Sequence, residues 1–187
     1  ARDEDGNTAL SEAVEGEHAE VDEWLVREGM ADVEARNNDD NTALVLAAST
    51  GQLRMVKCLV GGKADVEACG KDSSITALMF AAIGGHLPVV EWLVREGKAD
   101  VEACDKLNST ALMEAVSMGH TEVVEWLVRV AMADVNHAGR GGPLIGALQH
   151  GGLAAVRTLV AAGGELTSSQ IALASDQHPI VRSVLEE

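Results

Sequence analysis

A sequence motif that recurs every 34 residues constrains the fold of this chain more than any other feature. Thr-Ala-Leu stands at residues 8, 42, 76 and 110, and each copy opens a stretch of related sequence. The copy from Thr110 to Val128 predicts two short helices, Ala111–Met118 and Thr121–Val128, joined by a Gly-His turn. Helices this short are unstable alone in water, where about 12–15 residues is already marginal. A fixed period of this length therefore predicts units that stack and bury one another's apolar faces.

Each copy presents the same residue types in the same order. A threonine can cap the first helix, a leucine and an alanine three residues later share one helix face, and a glycine allows the chain to reverse. A second amphipathic helix of the VVEWLV type follows, and then an exit of the type Ala-Asp-Val-Glu-Ala or Ala-Asp-Val-Asn-His. The repeated positions are Leu10, Leu44, Leu78 and Leu112, then Ala13, Ala47, Ala81 and Ala115, then Gly16, Gly51, Gly85 and Gly119, with exits at 31–35, 64–68, 99–103 and 133–137.

These motifs resemble the ankyrin repeat. The Thr-x-Leu opening, the Gly-His turn and the Ala-Asp-Val-Asn exit of that family have counterparts along essentially the whole chain. The resemblance implies an all-α solenoid of helix–turn–helix units, joined by β-hairpin or loop fingers and curved around a concave face. We expect a single domain over 1–187, with repeats at about 1–36, 37–69, 70–104, 105–138 and 139–166 and a truncated cap at 167–187.

The chain departs from the family pattern in three places. The histidine of the family's Thr-Pro-Leu-His motif is replaced by Ser11, Val45, Met79, Met113 and Ile145, so we expect the threonine–histidine hydrogen bond to be lost. The exits of repeats 1, 3 and 4 contain one extra residue, which predicts bulged loops. The run Gly139 to Gly142 predicts a fifth finger that is short or is not a hairpin.

Composition disfavours nucleic acid and membranes as direct partners. The formal net charge is −16, and residues 1–36 alone contain 3 basic and 12 acidic residues. Phosphate binding needs clustered Lys and Arg, and the only aromatic residues are Phe80, Trp24, Trp92 and Trp126. No apolar run approaches the roughly 18 residues of a membrane-spanning helix. The acidic first repeat is either a solvated cap or a contact for a basic partner.

The three cysteines predict reduced thiols rather than a disulfide framework. Their number is odd, and Cys69 and Cys104 occupy equivalent places in adjacent repeats, too far apart for a disulfide. Reduced thiols favour a reducing compartment inside the cell, with the organelle left open. The chain begins at Ala1 rather than Met, as a processed form or a fragment would.

No catalytic, cofactor or metal site is expected. His18, His86 and His120 recur at the inter-helix turn, which predicts hydrogen bonding there rather than metal binding. Gly139 to Gly142 lacks the strand and the Gly-Lys-Ser/Thr ending of a phosphate loop. The neighbouring carboxylates Glu15/Glu17 and Asp39/Asp40 have no apolar pocket around them. Trp24, Trp92 and Trp126 share one slot of the second helix, where they either pack between units or form a row of exposed anchors.

The family resemblance implies partner contacts at the finger tips and at the ends of the first helices. We expect Ile75, Ile83, Leu107 and Met118 to face solvent as an apolar centre in repeats 3 and 4, with Met79 and Met113 beside them. The alternative is that the two methionines pack between repeats and the other apolar residues are merely scattered. The full set of predicted contact residues is Asn41, Ser49, Thr50, Ile75, Met79, Ile83, Leu107, Met113, Ser117, Met118, Gln149 and His150, with further finger residues at Glu4, Asp5, Asp72 and Ser73.

The sequence thus predicts a non-catalytic adaptor that binds a protein partner through its finger tips and concave face. An accessory subunit held permanently in a larger complex is the alternative. A third interpretation is the targeting domain of a longer, enzyme-bearing chain. The partner itself is not predicted.

Overall fold

Two layers of short helices stack along the chain. The computed structural model describes residues 2–3, 6–16, 19–28, 31–69, 74–150 and 152–165. The expectations for Glu4, Asp5, Glu17, His18, Asp72, Ser73 and the cap at 167–187 lie outside these ranges. The inner layer comprises α1 (Ala9–Glu15), α3 (Ala43–Ser49), α5 (Ala77–Ile83), α7 (Ala111–Met118) and α9 (Pro143–Gln149). The outer layer comprises α2 (Ala19–Arg27), α4 (Leu53–Gly61), α6 (Leu87–Arg95), α8 (Thr121–Arg129) and α10 (Leu153–Ala161). The two helices predicted in the fourth copy are confirmed, the second being one residue longer.

The repeated threonines begin the inner helices. The hydroxyl oxygens of Thr42, Thr76 and Thr110 each accept a hydrogen bond from the backbone N–H three residues later, at 3.4 Å. Thr8 accepts in the same way from Ser11, whose own hydroxyl oxygen accepts from the Thr8 N–H at 2.7 Å. Such caps satisfy N–H groups that a helix start otherwise leaves without partners. The caps therefore form without the histidine of the family motif.

The core lies between the two layers. The repeated leucines and alanines of the inner helices are buried, as are Leu59, Leu93, Leu127 and Leu159 of the outer helices. Each inner helix contacts the next inner helix and its own outer partner. Burying one leucine contributes about 1.5–3 kcal/mol. Since each helix meets its neighbours on two sides, helices too short to be stable alone are held in place by the stack.

Side chains at the inter-helix turns fix each repeat to the one before it. His86 Nε2 lies 2.9 Å from the carbonyl oxygen of Ser49, and His120 Nε2 lies 2.8 Å from that of Ile83. In the second repeat Gln52 donates to the carbonyl of Val14 at 2.8 Å. The hydrogen-bonding role predicted for these histidines is confirmed, and it links neighbouring repeats.

Gly16 of the first repeat does not hold the turn position that the sequence predicts for it. Gly51, Gly85 and Gly119 have φ between 69° and 75°, whereas Gly16 is in the right-handed helical region with φ −79°. Gly16 therefore occupies the place of Thr50 rather than that of Gly51.

The described fingers are tight turns rather than β-hairpins. One isolated antiparallel bridge joins Arg36 to Thr42, at the base of the finger between the first two repeats. The side-chain oxygens of Asp3, Asn37 and Asp105 each accept from the backbone N–H four residues later, at 2.7–2.9 Å. The fifth finger is a 3₁₀ turn over Gly139–Gly141, which confirms the expectation that it is not a hairpin. The backbone N–H groups of Asp3, Asn37 and Asp105 also donate to the carbonyl oxygens four residues later at 3.0–3.1 Å, so each of these turns is closed by both backbone and side chain.

A ladder of hydrogen bonds connects successive exits. Glu34, Glu67 and Glu102 accept from the backbone N–H groups of Asp65, Asp100 and Asp134 at 2.7–2.8 Å. At the last step Asn136 accepts from the N–H of Glu165 at 2.9 Å and donates to the carbonyl of Gly163 at 3.0 Å. The acidic exits thus serve as links between repeats.

Candidate protein-binding surface

One stripe of each inner helix is left uncovered by the packing. It consists of the residues four and seven positions after the capping threonine, which lie one helical turn apart on the same face. Between them the helix residues are mostly buried, whereas the stripe residues are half-buried or exposed. We call this surface the inner stripe, and it comprises Glu12 and Glu15, Leu46 and Ser49, Phe80 and Ile83, Glu114 and Ser117.

Residues at the ends of the inner helices extend this surface. Thr50, Met118, Gln149 and His150 are exposed, and 54% of Met118 is accessible. Leu107 on the fourth finger is 59% accessible. The predicted solvent exposure of Met118 and Leu107 is confirmed.

Met79 and Met113 are not part of the exposed surface. They are only 1% and 5% accessible, because their position, three after the threonine, points into the packing between neighbouring helices. Val45 at the same position is equally buried. The expectation that Met79 and Met113 contact a partner is therefore wrong. Both methionines pack between neighbouring repeats, as the alternative predicts.

Five other predicted contact residues are half-buried, namely Asn41, Ser49, Ile75, Ile83 and Ser117. Ile75 packs against the core from the third finger, so it presents only an edge to solvent. The apolar centre expected in repeats 3 and 4 therefore consists of Ile83, Leu107 and Met118 among the predicted residues.

The sequence comparison missed Leu46, Phe80 and Glu114. Their position holds Glu, Leu, Phe and Glu in the four copies, whereas the next position holds alanine in all four. Variation between copies of a scaffold was the available signal. Leu46 and Phe80 resemble core residues by type, so the residue types alone do not indicate their exposure.

The hydroxyls of Ser49 and Thr50 offer acceptors rather than donors. Both donate to the carbonyl oxygen of Leu46 at 2.9 Å, and Gln52 donates to the Thr50 hydroxyl at 2.9 Å. The carboxylates of Glu12, Glu15 and Glu114 are further hydrogen-bond acceptors on the inner stripe.

Trp24, Trp92 and Trp126 hold equivalent positions in the outer helices but differ in burial. Trp126 is 8% accessible and packs beneath Arg95, whereas Trp24 is 54% accessible. In the second repeat the slot holds Cys58, and a cleft of about 450 Å³ lies there between α2 and α4, lined by Val26, Arg27 and Lys57 among others. The row is therefore neither uniformly packed nor uniformly exposed.

The cysteines and histidines show no feature of a reactive or metal site in the part of the chain that is described. No disulfide joins Cys58, Cys69 and Cys104, and no group of three His, Cys, Asp or Glu side chains there is arranged to hold a metal. Cys104 Sγ lies 3.6 Å from His137 Nε2. Burial, together with the charges of Glu102, Asp105 and Asp100, raises the pKa of the Cys104 thiol, which disfavours the nucleophilic thiolate.

The neighbouring carboxylates Asp39 and Asp40 differ in their surroundings. Asp40 pairs with Arg36 at 3.6 Å, and Asp39 is exposed. Among the described residues, no helix is both long and apolar enough to cross a membrane.

Together these features define a class of protein: a stack of helix–turn–helix repeats that exposes one face of its inner helices. The family model for ankyrin repeats (3 copies) matches residues 1–69, 56–139 and 78–170. The chain belongs to the ankyrin-repeat family, and ankyrin repeats are generally protein–protein interaction modules. A search of curated proteins finds no match.

Proposed function

We propose that this protein is a non-catalytic adaptor that binds a partner protein through the inner stripe and the adjoining exposed residues. The observation that carries the proposal is the partial exposure of Leu46, Phe80 and Ile83, with Met118 beyond them. The inner-helix residues between these positions, Ala47, Ala48, Ala81 and Ala82, are buried. Clustered exposed apolar residues are typical of interaction sites. Methionine adapts its shape to irregular partners.

A photo-crosslinking experiment tests the proposal. A photoreactive amino acid replaces Ser117 on the inner stripe, and in a matched control it replaces Glu122 on α8. In an extract of the source cells, the probe at 117 should crosslink one discrete protein. Excess wild-type chain should compete, and the double variant Ile83→Asp/Met118→Asp should compete at least about tenfold less well. Equal competition by the double variant, or crosslinking only from position 122, would exclude the inner stripe as the binding surface.

A permanent subunit of a larger assembly is the second candidate. Val130 and Met132, at the exit of the fourth repeat, are 50% and 78% accessible, so apolar surface is also exposed beyond the inner stripe. A subunit should co-purify with its neighbours at dilutions of the extract that release an adaptor. Size-exclusion chromatography of the diluted extract distinguishes the two, since a released adaptor elutes at the mass of the free protein.

A further inference from the structure

One slot of the outer layer is filled in the fourth repeat and open in the second. In the fourth repeat it holds Trp126, which is 8% accessible and lies under the guanidinium of Arg95 from the preceding outer helix. In the second repeat the same slot holds Cys58, and the preceding outer helix again ends in an arginine, Arg27. A cleft of about 450 Å³ lies there between α2 and α4. The second repeat thus has the arginine but lacks the ring that an arginine covers in the fourth.

A second small residue of α4 adds to the same cleft. Gly61 stands where the next two repeats have Arg95 and Arg129. A Cβ at Gly61 would meet nothing within 4 Å, so the space beside it is open. At Gly62, by contrast, a Cβ would come within 2.4 Å of Val26 Cγ1. The two helices therefore pack closely at Val26 and leave open space beside Gly61.

The charged residues that line the cleft are all positive. They are Arg27, Lys57 and Lys63, and no Asp or Glu is among the lining residues. At the position of Lys57 the first, third and fourth copies of the repeat have glutamate, so the sign of the charge is reversed in the second. A chain with a formal net charge of −16 thus presents a locally basic cleft.

These cations are accessible to an incoming group. Lys57 and Lys63 are exposed, and no hydrogen bond or ion pair within the described ranges engages either side chain. Arg27 pairs with Glu23 at 3.7 Å, but the Arg27 side chain is 74% accessible, and Glu23 lies closer to Arg54, at 2.5 Å. A carboxylate binds at the edge of a guanidinium and an aromatic ring binds on its face. The ion pair of Arg27 therefore leaves its face available to a ring.

We propose that the cleft between α2 and α4 binds an aromatic side chain of a partner protein that is flanked by Asp or Glu. The ring lies under Arg27, in the place that Trp126 fills in the fourth repeat, and the flanking carboxylates pair with Lys57 and Lys63. The cleft volume of about 450 Å³ is within the range of binding pockets, about 300–1,000 Å³. The cleft is on the outer layer, so this inference does not rest on binding through the inner stripe.

A nucleotide also joins an aromatic ring to anionic groups. Recognition of a base depends on hydrogen bonds to its edges, and no amide or hydroxyl side chain lines the cleft. The three cations stand on three segments, at the end of α2, in the middle of α4 and after its end. This distribution favours separate carboxylates on the two sides of a ring, and adenosine monophosphate serves as the competitor in the test.

Nuclear magnetic resonance with a synthetic peptide tests the inference. The probe is an acetylated and amidated peptide, Glu-Asp-Trp-Glu-Asp, titrated into the isotope-labelled full chain. The backbone amide signals of Gly61, Gly62 and Lys63 should shift until they saturate. The same peptide with Leu in place of Trp, or with Lys in place of its acidic residues, should bind at least about tenfold more weakly.

Two variants introduce residue types that other repeats have at the same positions. Cys58→Trp fills the slot and should abolish peptide binding while the circular dichroism spectrum stays unchanged. Lys57→Glu should weaken binding at least about tenfold and reduce its dependence on salt. The matched control Lys106→Glu makes the same charge change on the fourth finger and should leave affinity unchanged. If Cys58→Trp does not fold, Gly61→Leu fills the cleft instead, since the space beside Gly61 is open.

The outcomes concern the cleft separately from the inner stripe. No saturable shift at millimolar peptide, equal binding of the Leu peptide, or equal effects of Lys57→Glu and Lys106→Glu would overturn the inference. Displacement of the peptide by adenosine monophosphate would assign the cleft to nucleotides and overturn it as well. Peptide binding that is lost with Cys58→Trp and Lys57→Glu would support the cleft even if crosslinking from position 117 failed, and that failure would count against the inner stripe alone.

Discussion

The guanidinium carbon of Arg95 lies 5.4 Å from the centroid of the Trp126 ring, within the range of a cation–π contact. Arg95 ends α6 and Trp126 lies in α8, so the contact joins two consecutive repeats. The equivalent pairs in sequence are Arg27 and Cys58, Gly61 and Trp92, and Arg129 and Thr158. Among these pairs, both residue types occur together only at the boundary of repeats 3 and 4, where they form this cation–π contact.

Replacing Arg95 should therefore destabilise the stack, and replacing its counterpart should not. We expect Arg95→Ala to lower the free energy of unfolding by about 0.5–1 kcal/mol, the usual value for an exposed cation–π pair. Arg129→Ala removes an arginine from the same slot opposite Thr158. Urea unfolding followed by circular dichroism gives both values, and equal losses would show that the Trp126 ring contributes nothing.

Gly85→Ala and Gly119→Ala separate backbone strain from inter-repeat contact. Both glycines have positive φ, 69° and 75°, so alanine is strained by about 1–2 kcal/mol in either place. A Cβ at Gly85 would lie 2.5 Å from His120 Nδ1, whereas at Gly119 it would meet nothing within 4 Å. Gly85→Ala should be clearly the more destabilising in thermal unfolding, and similar costs would mean that the His120 ring yields freely.

His120→Ala removes a hydrogen bond between repeats. The expected loss is about 0.5–1.5 kcal/mol, because the Ile83 carbonyl loses its 2.8 Å contact. Gln52 makes the corresponding bond in the second repeat, so His120→Gln should recover part of the loss. Equilibrium unfolding of the two variants measures the difference, and no recovery with glutamine would indicate that ring packing matters more than the bond.

Met132→Gly should stabilise the protein. Met132 has φ 59°, as Lys98 has φ 62°, while Gly163 holds the corresponding place in the fifth repeat. Relief of left-handed strain is worth about 1 kcal/mol after allowing for the added freedom of the unfolded chain. Met132→Ala keeps the strain and serves as the control. A melting temperature that rises equally for both variants would show that loss of the exposed side chain, not backbone relief, is responsible.

Cys104 should react slowly with iodoacetamide. Its raised pKa lowers the fraction of thiolate, the reactive form, near neutral pH. Since Glu102 is one of the charges that raise this pKa, Glu102→Gln should accelerate alkylation of Cys104, and the pH–rate profile should shift to lower pH. Mass spectrometry of the digested protein measures the rate at this residue. An unchanged profile would leave burial and the charges of Asp105 and Asp100 as the causes of the raised pKa.

The sequence predicts the scaffold well because its determinants are local and repeated. The capping threonines, the leucine–alanine face and the turn histidines each act within a repeat or on a neighbouring one, so a fixed spacing reveals them. Exposure within an inner helix is different, because it depends on how closely neighbouring helices approach. Met79 and Phe80 are adjacent apolar residues, yet only Met79 is enclosed. The sequence leaves open whether the fingers are hairpins or loops, because it does not show that both a backbone bond and a side-chain oxygen close the turns at Asn37 and Asp105.

The exit ladder makes both ends of the stack sensitive to truncation. If the first repeat is removed, the N–H of Asp65 loses the Glu34 carboxylate, and water can replace that acceptor at an exposed residue. If the chain is cut before Gly163, Asn136 loses both a donor and an acceptor partner at once. Tolerance of shortening depends on the backbone bonds that are broken. Water can also reach the exposed Asn136, and removing the first repeat breaks in addition the bond from Gln52 to the Val14 carbonyl, so shortening at either end should lower stability.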